Sequence, residues 1–475
     1  MTDEPRPAPP GPDLSDADSI MWRIAADPVL RTPIVVVGLL DRAPDTAALA
    51  ATFGRAGDVL PGLRSRIAAP TGGIGRPRWV PDPAFAPEHH IRRVGATSGD
   101  VRCVLDLAEP DATAPFDPER PPWSLTVVEG LAADRAAFVL RFHHAITDGM
   151  GGLQAAAQIF DRRRHPPGPV PAATPPVGDT AGGNGQAHRP AAFPLPGRLL
   201  PTARSLASAG RSAALDPLGT VSGSLRLARS LGRLIAGAPS GSPLLAGRGL
   251  HRHLHVVDFA LADLRAAADA AGGTVNDLLL AAVAGAFRQY HERHGEPVST
   301  MAVMMPIDRR RPGDGVTGNR FAPARFSLPV DEPDLVTRTR VAAAISRSWQ
   351  TEPALSMTDR VAGALNRLPG PVVVRVFGNM LRTMDADVVD LAGLVEPAYV
   401  GGARIERMWA FAPPTGAAFS VTLLSHVDRA CVAVACDRAA VPRPEVLADL
   451  VESALDEALA LAGQGAAGHE QEVAP

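Results

Sequence analysis

Two periods of apolar residues run along this chain, and the places where one gives way to the other mark its elements. Residues 33–40, Pro-Ile-Val-Val-Val-Gly-Leu-Leu, form an unbroken apolar run of strand length, which predicts a buried strand. Upstream, residues 16–24 read as a short helix with Asp18 as its cap. Leu49 and Phe53, four apart, place a helix over residues 45–56, and Pro61-Gly62 closes that region. Residues 136–142, rich in β-branched and aromatic side chains, predict a second strand. Leu153, Ala156, Ala157 and Phe160 recur at helical spacing and predict a helix over residues 152–162.

The second half repeats this alternation. Residues 251–259 predict a strand with His251, His253 and His255 on one face, and a helix over 261–271 ends at Gly272-Gly273. Thr274 with Asp277 then gives a capping-box start to a helix reaching about Arg293, whose buried face carries Val275, Leu279, Ala282, Ala286 and Tyr290. Strands follow at 301–307, 419–424 and 431–436, the last two joined by a hairpin at Asp428-Arg429. Pro444 opens a final helix with Leu447, Leu450, Val451 and Leu455 facing inward. Both halves therefore mix helix and strand, an α/β chain of the α+β type with mixed sheets.

Composition narrows the function. A length of 475 residues allows either three domains or two large lobes with a linker, and 46% apolar with 20% charged residues is ordinary for a globular protein. The net charge of −3 offers no general attraction to nucleic acid, which is not expected as a partner. All 47 basic residues are arginines, so the chain has neither a P-loop lysine nor a lysine for a pyridoxal Schiff base. An anionic coenzyme would be held by arginine or backbone amides. Cys103, Cys431 and Cys436 lack metal-ligand spacing and read as reduced core thiols. The histidine row at 251–255 has no cysteine or paired carboxylate beside it, so no metal site is assigned. Residues 1–18 are acidic and proline-rich, with no basic segment followed by an apolar one. No later run reaches the length of a membrane span, and a cytoplasmic or peripheral location is expected.

Gly72-Gly73-Ile74-Gly75 precedes Arg76-Pro77-Arg78, which cannot open a helix as a dinucleotide fingerprint requires, so it reads as a turn. Trp79 and Trp123 lie near prolines and read first as core plugs, with Trp123 retained as a candidate substrate contact. The corner formed by residues 308–311 with Gly318-Asn319-Arg320 could be a solvated loop or could receive coenzyme phosphates; Asn319 is its candidate substrate-binding residue.

The strongest chemical signal is His143-His144-Ala145-Ile146-Thr147-Asp148-Gly149, at the end of the 136–142 strand and followed by Gly151 and Gly152. If the period of two holds, His144 shares a face with Phe138, Leu140 and Phe142, and His143 shares the other with Val139 and Arg141. The two imidazoles then have different tasks. A neutral imidazole accepts a proton near neutral pH, which makes His144 a candidate general base. His143 would be structural or orienting. Asp148 is expected to brace the loop through an arginine or backbone amides, and Gly149 to allow close backbone approach.

His-His-x-x-x-Asp-Gly resembles the active-site signature of the coenzyme A-dependent acyltransferase superfamily, which includes chloramphenicol acetyltransferases, carnitine acyltransferases and peptide synthetase condensation domains. Gly75-Arg76-Pro77-Arg78-Trp79-Val80 with Asp82-Pro83, then Pro115-Phe116-Asp117 and Arg120-Pro121-Pro122-Trp123, resemble the bacterial wax ester synthase/diacylglycerol acyltransferase family. Val275-Asn276-Asp277-Leu278-Leu279-Leu280-Ala281 is similar to that family's second motif. The chain departs from it at residues 391–397, Leu-Ala-Gly-Leu-Val-Glu-Pro, where an Asn-Val-Pro-Gly-Pro-like stretch is usual; the departure bears on acceptor preference and on activity.

The resemblance implies two chloramphenicol-acetyltransferase-like lobes with a channel between them, and a channel role for Asn276 and Asp277. It implies acyl-coenzyme A as co-substrate with no permanently bound cofactor, and diacylglycerol or a long-chain alcohol as acceptor. A thioester is already activated, and no Gly-x-Ser-x-Gly elbow is present, so direct attack without a covalent enzyme intermediate is expected. The expected divisions are a disordered segment at 1–18, a first lobe at 19–162, a Pro/Gly-rich linker at 163–250, a second lobe at 251–464 and a flexible tail at 465–475. Within the linker, residues 225–235 pair leucines with Arg226, Arg229 and Arg233, which suits either packing on the protein or the surface of a membrane or lipid droplet. Two other readings stand beside the first: a condensation-type transferase served by a carrier protein, and a non-catalytic protein of lipid surfaces.

Overall fold

The computed structural model describes residues 11–70, 75–165, 241–311, 313–352, 355, 358–413 and 415–472. The glycine turn at 72–74 and the arginine-leucine stretch at 225–235 lie outside these residues, as does most of the expected linker.

Fourteen strands, β1 (Pro33–Leu40), β2 (Ser65–Ala68), β3 (Arg78–Pro81), β4 (Ile91–Gly95), β5 (Trp123–Glu129), β6 (Ala136–His143), β7 (Arg252–Ala260), β8 (Thr300–Asp308), β9 (Phe321–Pro329), β10 (Ala386–Leu394), β11 (Tyr399–Val400), β12 (Ala403–Phe411), β13 (Phe419–His426) and β14 (Arg429–Asp437), build the described sheets. One sheet has the order β11-β12-β1-β6-β5-β4, the second β7-β14-β13-β10-β8-β9, and β2 pairs with β3. The first sheet is therefore not made from the first half alone. β12 joins it beside β1, with Val37 opposite Trp409 on one side and Val139 on the other.

Strand alternation assigns each face of the first sheet. Val35, Val37, Val139 and Trp409 pack with Leu254, Cys431 and Ala433 of the second sheet into a shared core. The intervening residues Val36, Phe138, Leu140, Met408 and Ala410 face a large cavity instead. In the second sheet β8 and β10 are parallel but pair over only Val303–Ala386 and Met304–Asp387. Beyond Met304 and Asp387 no further pairs form, and side chains of both strands (Pro306, Asp308, Val389 and Leu391) border the cavity.

The helix Val275–Arg293 starts from the expected capping box, the Thr274 hydroxyl receiving the Asp277 amide and Asp277 receiving the Thr274 amide. Leu278 to Phe287 are buried on every side, so this helix is a core element, not a surface one. Among the described residues no single helix is long and apolar enough to cross a membrane. The three cysteines are buried and free.

Several expectations shift. Asp18 does not cap the first helix, Asp16–Ile24; Ser15 does, by accepting the Asp18 amide. The stretch expected to be disordered is ordered from residue 11: Leu14 is buried against Ile67 and Ala145, and its amide donates to the Pro77 carbonyl. The spacing of Leu153, Ala156, Ala157 and Phe160 predicted a helix over 152–162, yet the helix is Gly149–Ile159, because Asp148 caps it. The last helix, Pro444–Glu472, extends through most of the expected tail.

Candidate active site

β6 delivers the two histidines to the end of the first sheet, and the chain then turns sharply. The Ala145 amide donates to His143 Nδ1 at 3.0 Å, the Ile146 amide to the His143 carbonyl at 2.9 Å, and the His144 amide to the Thr32 carbonyl at 3.1 Å. Because His143 Nδ1 accepts a backbone hydrogen, its ring is neutral with the proton on Nε2. The ring is 2% exposed, lies between Trp22 and Phe116, and burial pushes its pKa down to about 3. His143 thus holds the turn and takes no part in the cavity.

His144 faces the opposite way, into a cavity of about 680 Å³ that it lines with Phe138, Leu140 and Phe142. Its ring centroid is 5.6 Å from that of Phe321 on β9. Nδ1 is sealed from water and has no hydrogen-bond partner, which leaves Nε2 as the nitrogen open to the cavity. Burial lowers the pKa of His144 below the ordinary imidazole value, while the Asp148 and Asp18 carboxylates and the Asn319 side chain oppose the shift. The ring therefore rests neutral, and an acquired proton meets two carboxylates.

Asp148 is the pivot of the turn. Its Oδ1 accepts from the Gly151 amide and from Arg310 Nη2, both at 2.7 Å, and its Oδ2 accepts from the Arg320 amide at 2.7 Å. The side chains of the Asp148–Arg310 pair are only 5% and 3% exposed. A Cβ on Gly151 would overlap the Thr147 hydroxyl and the Val316 carbonyl, so only glycine fits under this contact. Thr147 adds a hydrogen bond to the Val316 carbonyl at 2.7 Å and a bridge to Gly318. Gly149 sits so close to Leu391 of β10 that a Cβ would come within 3.1 Å of it.

Asn319 joins the same assembly from the cavity side. Its Nδ2 donates to Asp18 Oδ1 at 2.6 Å and to the His144 carbonyl at 2.9 Å, and its backbone amide also donates to Asp18 Oδ1. Burial raises the pKa of Asp18, with Ser15 and Asn319 holding it back. Sequence reasoning missed Asp18 and Arg310 in these roles. The signal for Arg310 was the polar corner, where it is spent on Asp148; the exposed side chains there are Asp308, Arg311 and Arg320.

Three candidates lie elsewhere. Trp123 is 2% exposed, donates from Nε1 to the Leu63 carbonyl at 2.8 Å and stacks on His90 and Phe53, as a core plug. Asn276 does not line the cavity; it reaches Ser346 Oγ at 3.4 Å and Met305 Sδ at 3.6 Å, tying its helix to neighbouring elements. Asp277 serves the capping box. Two carboxyls that sequence reasoning did not single out do border the cavity. Burial raises Asp387 to about 8, whereas Asp390 borders the cavity from an exposed position. Among the described residues no cluster of three or more His, Cys, Asp or Glu could hold a metal.

The wax ester synthase/diacylglycerol acyltransferase catalytic domain model matches residues 16–279, and the WS/DGAT C-terminal domain model matches residues 317–458. A Mycobacterium tuberculosis (strain H37Rv) protein named "Putative diacyglycerol O-acyltransferase" is 37% identical over 459 residues, spanning 95% of this chain and 92% of its own. A wax ester synthase/diacylglycerol acyltransferase from Marinobacter aquaeolei VT8 superposes with a TM-score of 0.60 at 19% identity, covering 95% of this chain and all of its own (100%). The starter condensation domain of rhizomide synthetase, solved as a mutant with C8-CoA and Leu-SNAC, superposes at 0.58 with 15% identity, covering 95% of this chain and 94% of its own. These two solved structures share the two-lobed fold.

Arg310→Met should lower stability by about 3–5 kcal/mol, because it leaves the Asp148 carboxylate buried without its cation. Chemical denaturation measures the loss; a change under about 1 kcal/mol would show that the pair does not hold the turn.

Proposed function

The chain belongs to the wax ester synthase/diacylglycerol acyltransferase family, and from this membership we propose that it moves a fatty acyl group from acyl-coenzyme A to diacylglycerol, a long-chain alcohol, or both, with His144 as general base. The observation that carries the proposal is a neutral imidazole with one nitrogen open to a long apolar cavity. Nε2 takes the proton of the acceptor hydroxyl as its oxygen attacks the thioester carbonyl carbon. The resulting imidazolium is favoured by Asp148 and Asp18. Collapse of the tetrahedral adduct breaks the carbon–sulfur bond, and the imidazolium returns its proton to the departing thiolate. Ester and thiol are the products, with no acyl-enzyme. Asp148 and Gly149 act by position, and Asn319 steadies the His144 carbonyl from the cavity wall.

Apolar substrates need an apolar route. The helix Gly370–Leu381 forms part of the cavity wall with Phe377, Met380 and Leu381. Leu368, Val372 and Val376, four apart, are 38%, 44% and 47% exposed, and Val376 also lines the cavity. Arg367 and Arg375 are exposed beside them. This stripe suits peripheral docking on an anionic lipid surface that supplies the acceptor. Such docking accords with a cytoplasmic protein resting on membrane or lipid inclusions.

Thiol release from palmitoyl-coenzyme A, with diacylglycerol and hexadecanol supplied separately and the lipid products identified, tests the reaction. Acceptor-dependent ester formation is expected, with a loss of at least about a hundredfold in His144→Ala at unchanged circular dichroism. Turnover only with a carrier-bound acyl group would favour the condensation-type reading, and none under any condition the non-catalytic one. Val372→Asp/Val376→Asp should abolish co-sedimentation with anionic vesicles; retained binding would remove the helix from that role.

A further inference from the structure

Asp387 is a cavity group whose chemistry the acyl-transfer scheme does not use and whose carboxyl has no hydrogen-bond partner among the described residues. It is 5% exposed and lies on the cavity wall; its Oδ1 is sealed and has no hydrogen-bond partner, which leaves Oδ2 as the oxygen that meets the cavity. Two residues on, the same face of β10 carries Val389 and then Leu391, the apolar side chains expected of a lipid channel. A third apolar residue at 387 would fit that pattern and leave no polar atom unsatisfied. A buried carboxyl kept in an apolar wall without a partner marks a place where a ligand can supply the missing bond.

The register locates it. Asp387 pairs with Met304 of β8, which pairs with Arg325 of β9, so the three residues form one row across the sheet. Phe321, whose ring adjoins His144, stands four residues before Arg325 on β9. At the rise of a strand this separates the row from His144 by roughly 13 Å, about ten carbon–carbon bonds of an extended chain. β8 and β10 end their pairing at this row, so Asp387 sits where the gap between them closes. Its flanking partner on the other side, Ser420 of β13, is committed to the Ala412 carbonyl. Burial keeps the carboxyl protonated at neutral pH, so it can donate as well as accept.

We propose that Asp387 is a specificity-determining residue that hydrogen-bonds a hydroxyl carried about ten carbons from the reacting group, so that this chain prefers hydroxylated aliphatic chains over plain ones. The inference rests on the acyl-transfer reading for the site but concerns the far end of the cavity. The hydroxyl could belong to the acyl donor or to the acceptor alcohol, and the two are separable.

In one arm, palmitoyl-coenzyme A is offered with 1-decanol or 1,10-decanediol. In the other, hexadecanol is offered with decanoyl- or 10-hydroxydecanoyl-coenzyme A. Wild type should favour the hydroxylated member of one pair by about tenfold in kcat/KM, and Asp387→Leu should reduce that ratio to about one while leaving turnover of the plain chain at least as high. Asp387→Asn, which keeps the shape and a donor, should retain part of the preference. The arm that shows the effect identifies which substrate carries the hydroxyl. Binding of the same four chains is measured by the ligand-induced shift in melting temperature. A hydroxyl preference in binding that Asp387→Leu removes, with no turnover in any arm, would sustain this inference and defeat the acyl-transfer reading. Turnover with equal ratios in wild type and Asp387→Leu would overturn the inference and leave that reading intact. No hydroxyl preference by either readout overturns it as well.

Discussion

The buried ion pair between Asp148 and Arg310 is the constraint on which the candidate site depends. Removing two full charges from water is costly, and the pair persists because its remaining valences are met: Asp148 also receives the Gly151 and Arg320 amides. Two of the three donors to Asp148 come from the second half of the chain. The turn that carries His144 is therefore complete only when both halves of the chain have folded onto each other. The same seam is closed by Thr147 on Val316 and by Asn319 on the His144 carbonyl. Packing density at Gly151 leaves no slack, since even a methyl group there meets the seam.

The seam sets the chemistry as well as the position. Burial alone would disable an imidazole as a cation and leave it a poor host for a proton. Carboxylates at Asp148 and Asp18 offset part of that penalty without cancelling it, so the ring rests neutral and tolerates protonation in passing. His143, one residue earlier and on the opposite strand face, has no carboxylate among the causes of its shift and is held neutral far more firmly. Strand alternation thus gives adjacent identical side chains opposite environments. The apolar wall of the cavity extends this division: in the proposed reaction it keeps water from the thioester and offers aliphatic chains a matching surface.

Local pattern made much of this readable in advance. β1, β6, β7 and the capped helix Val275–Arg293 follow from periodicity and a capping box, both short-range signals. The opposed faces of His143 and His144 follow from a period of two. What the sequence could not reveal depends on residues far apart in the chain. Asp18 and Asn319 are 301 positions apart, and Arg310 stands 162 from Asp148. Apolar spacing begins only at Leu153, so it did not reveal the earlier start of Gly149–Ile159, which the Asp148 carboxylate cap sets. Trp123 and Asn276 were chemically plausible contacts, but plausibility does not say which side of a sheet or helix meets the cavity. The insertion of β12 into the first sheet has no local signature at all.

The central claim, that a neutral His144 is the base, is tested most directly by kcat/KM for acyl transfer measured from pH 8 down to pH 4. The folded-state pKa of His144 lies below the ordinary imidazole value of about 6.5, so the base form persists through that pH and is lost only below it. The account predicts a rate that stays level past pH 6.5 and declines at lower pH. A midpoint at or above 6.5 would contradict it.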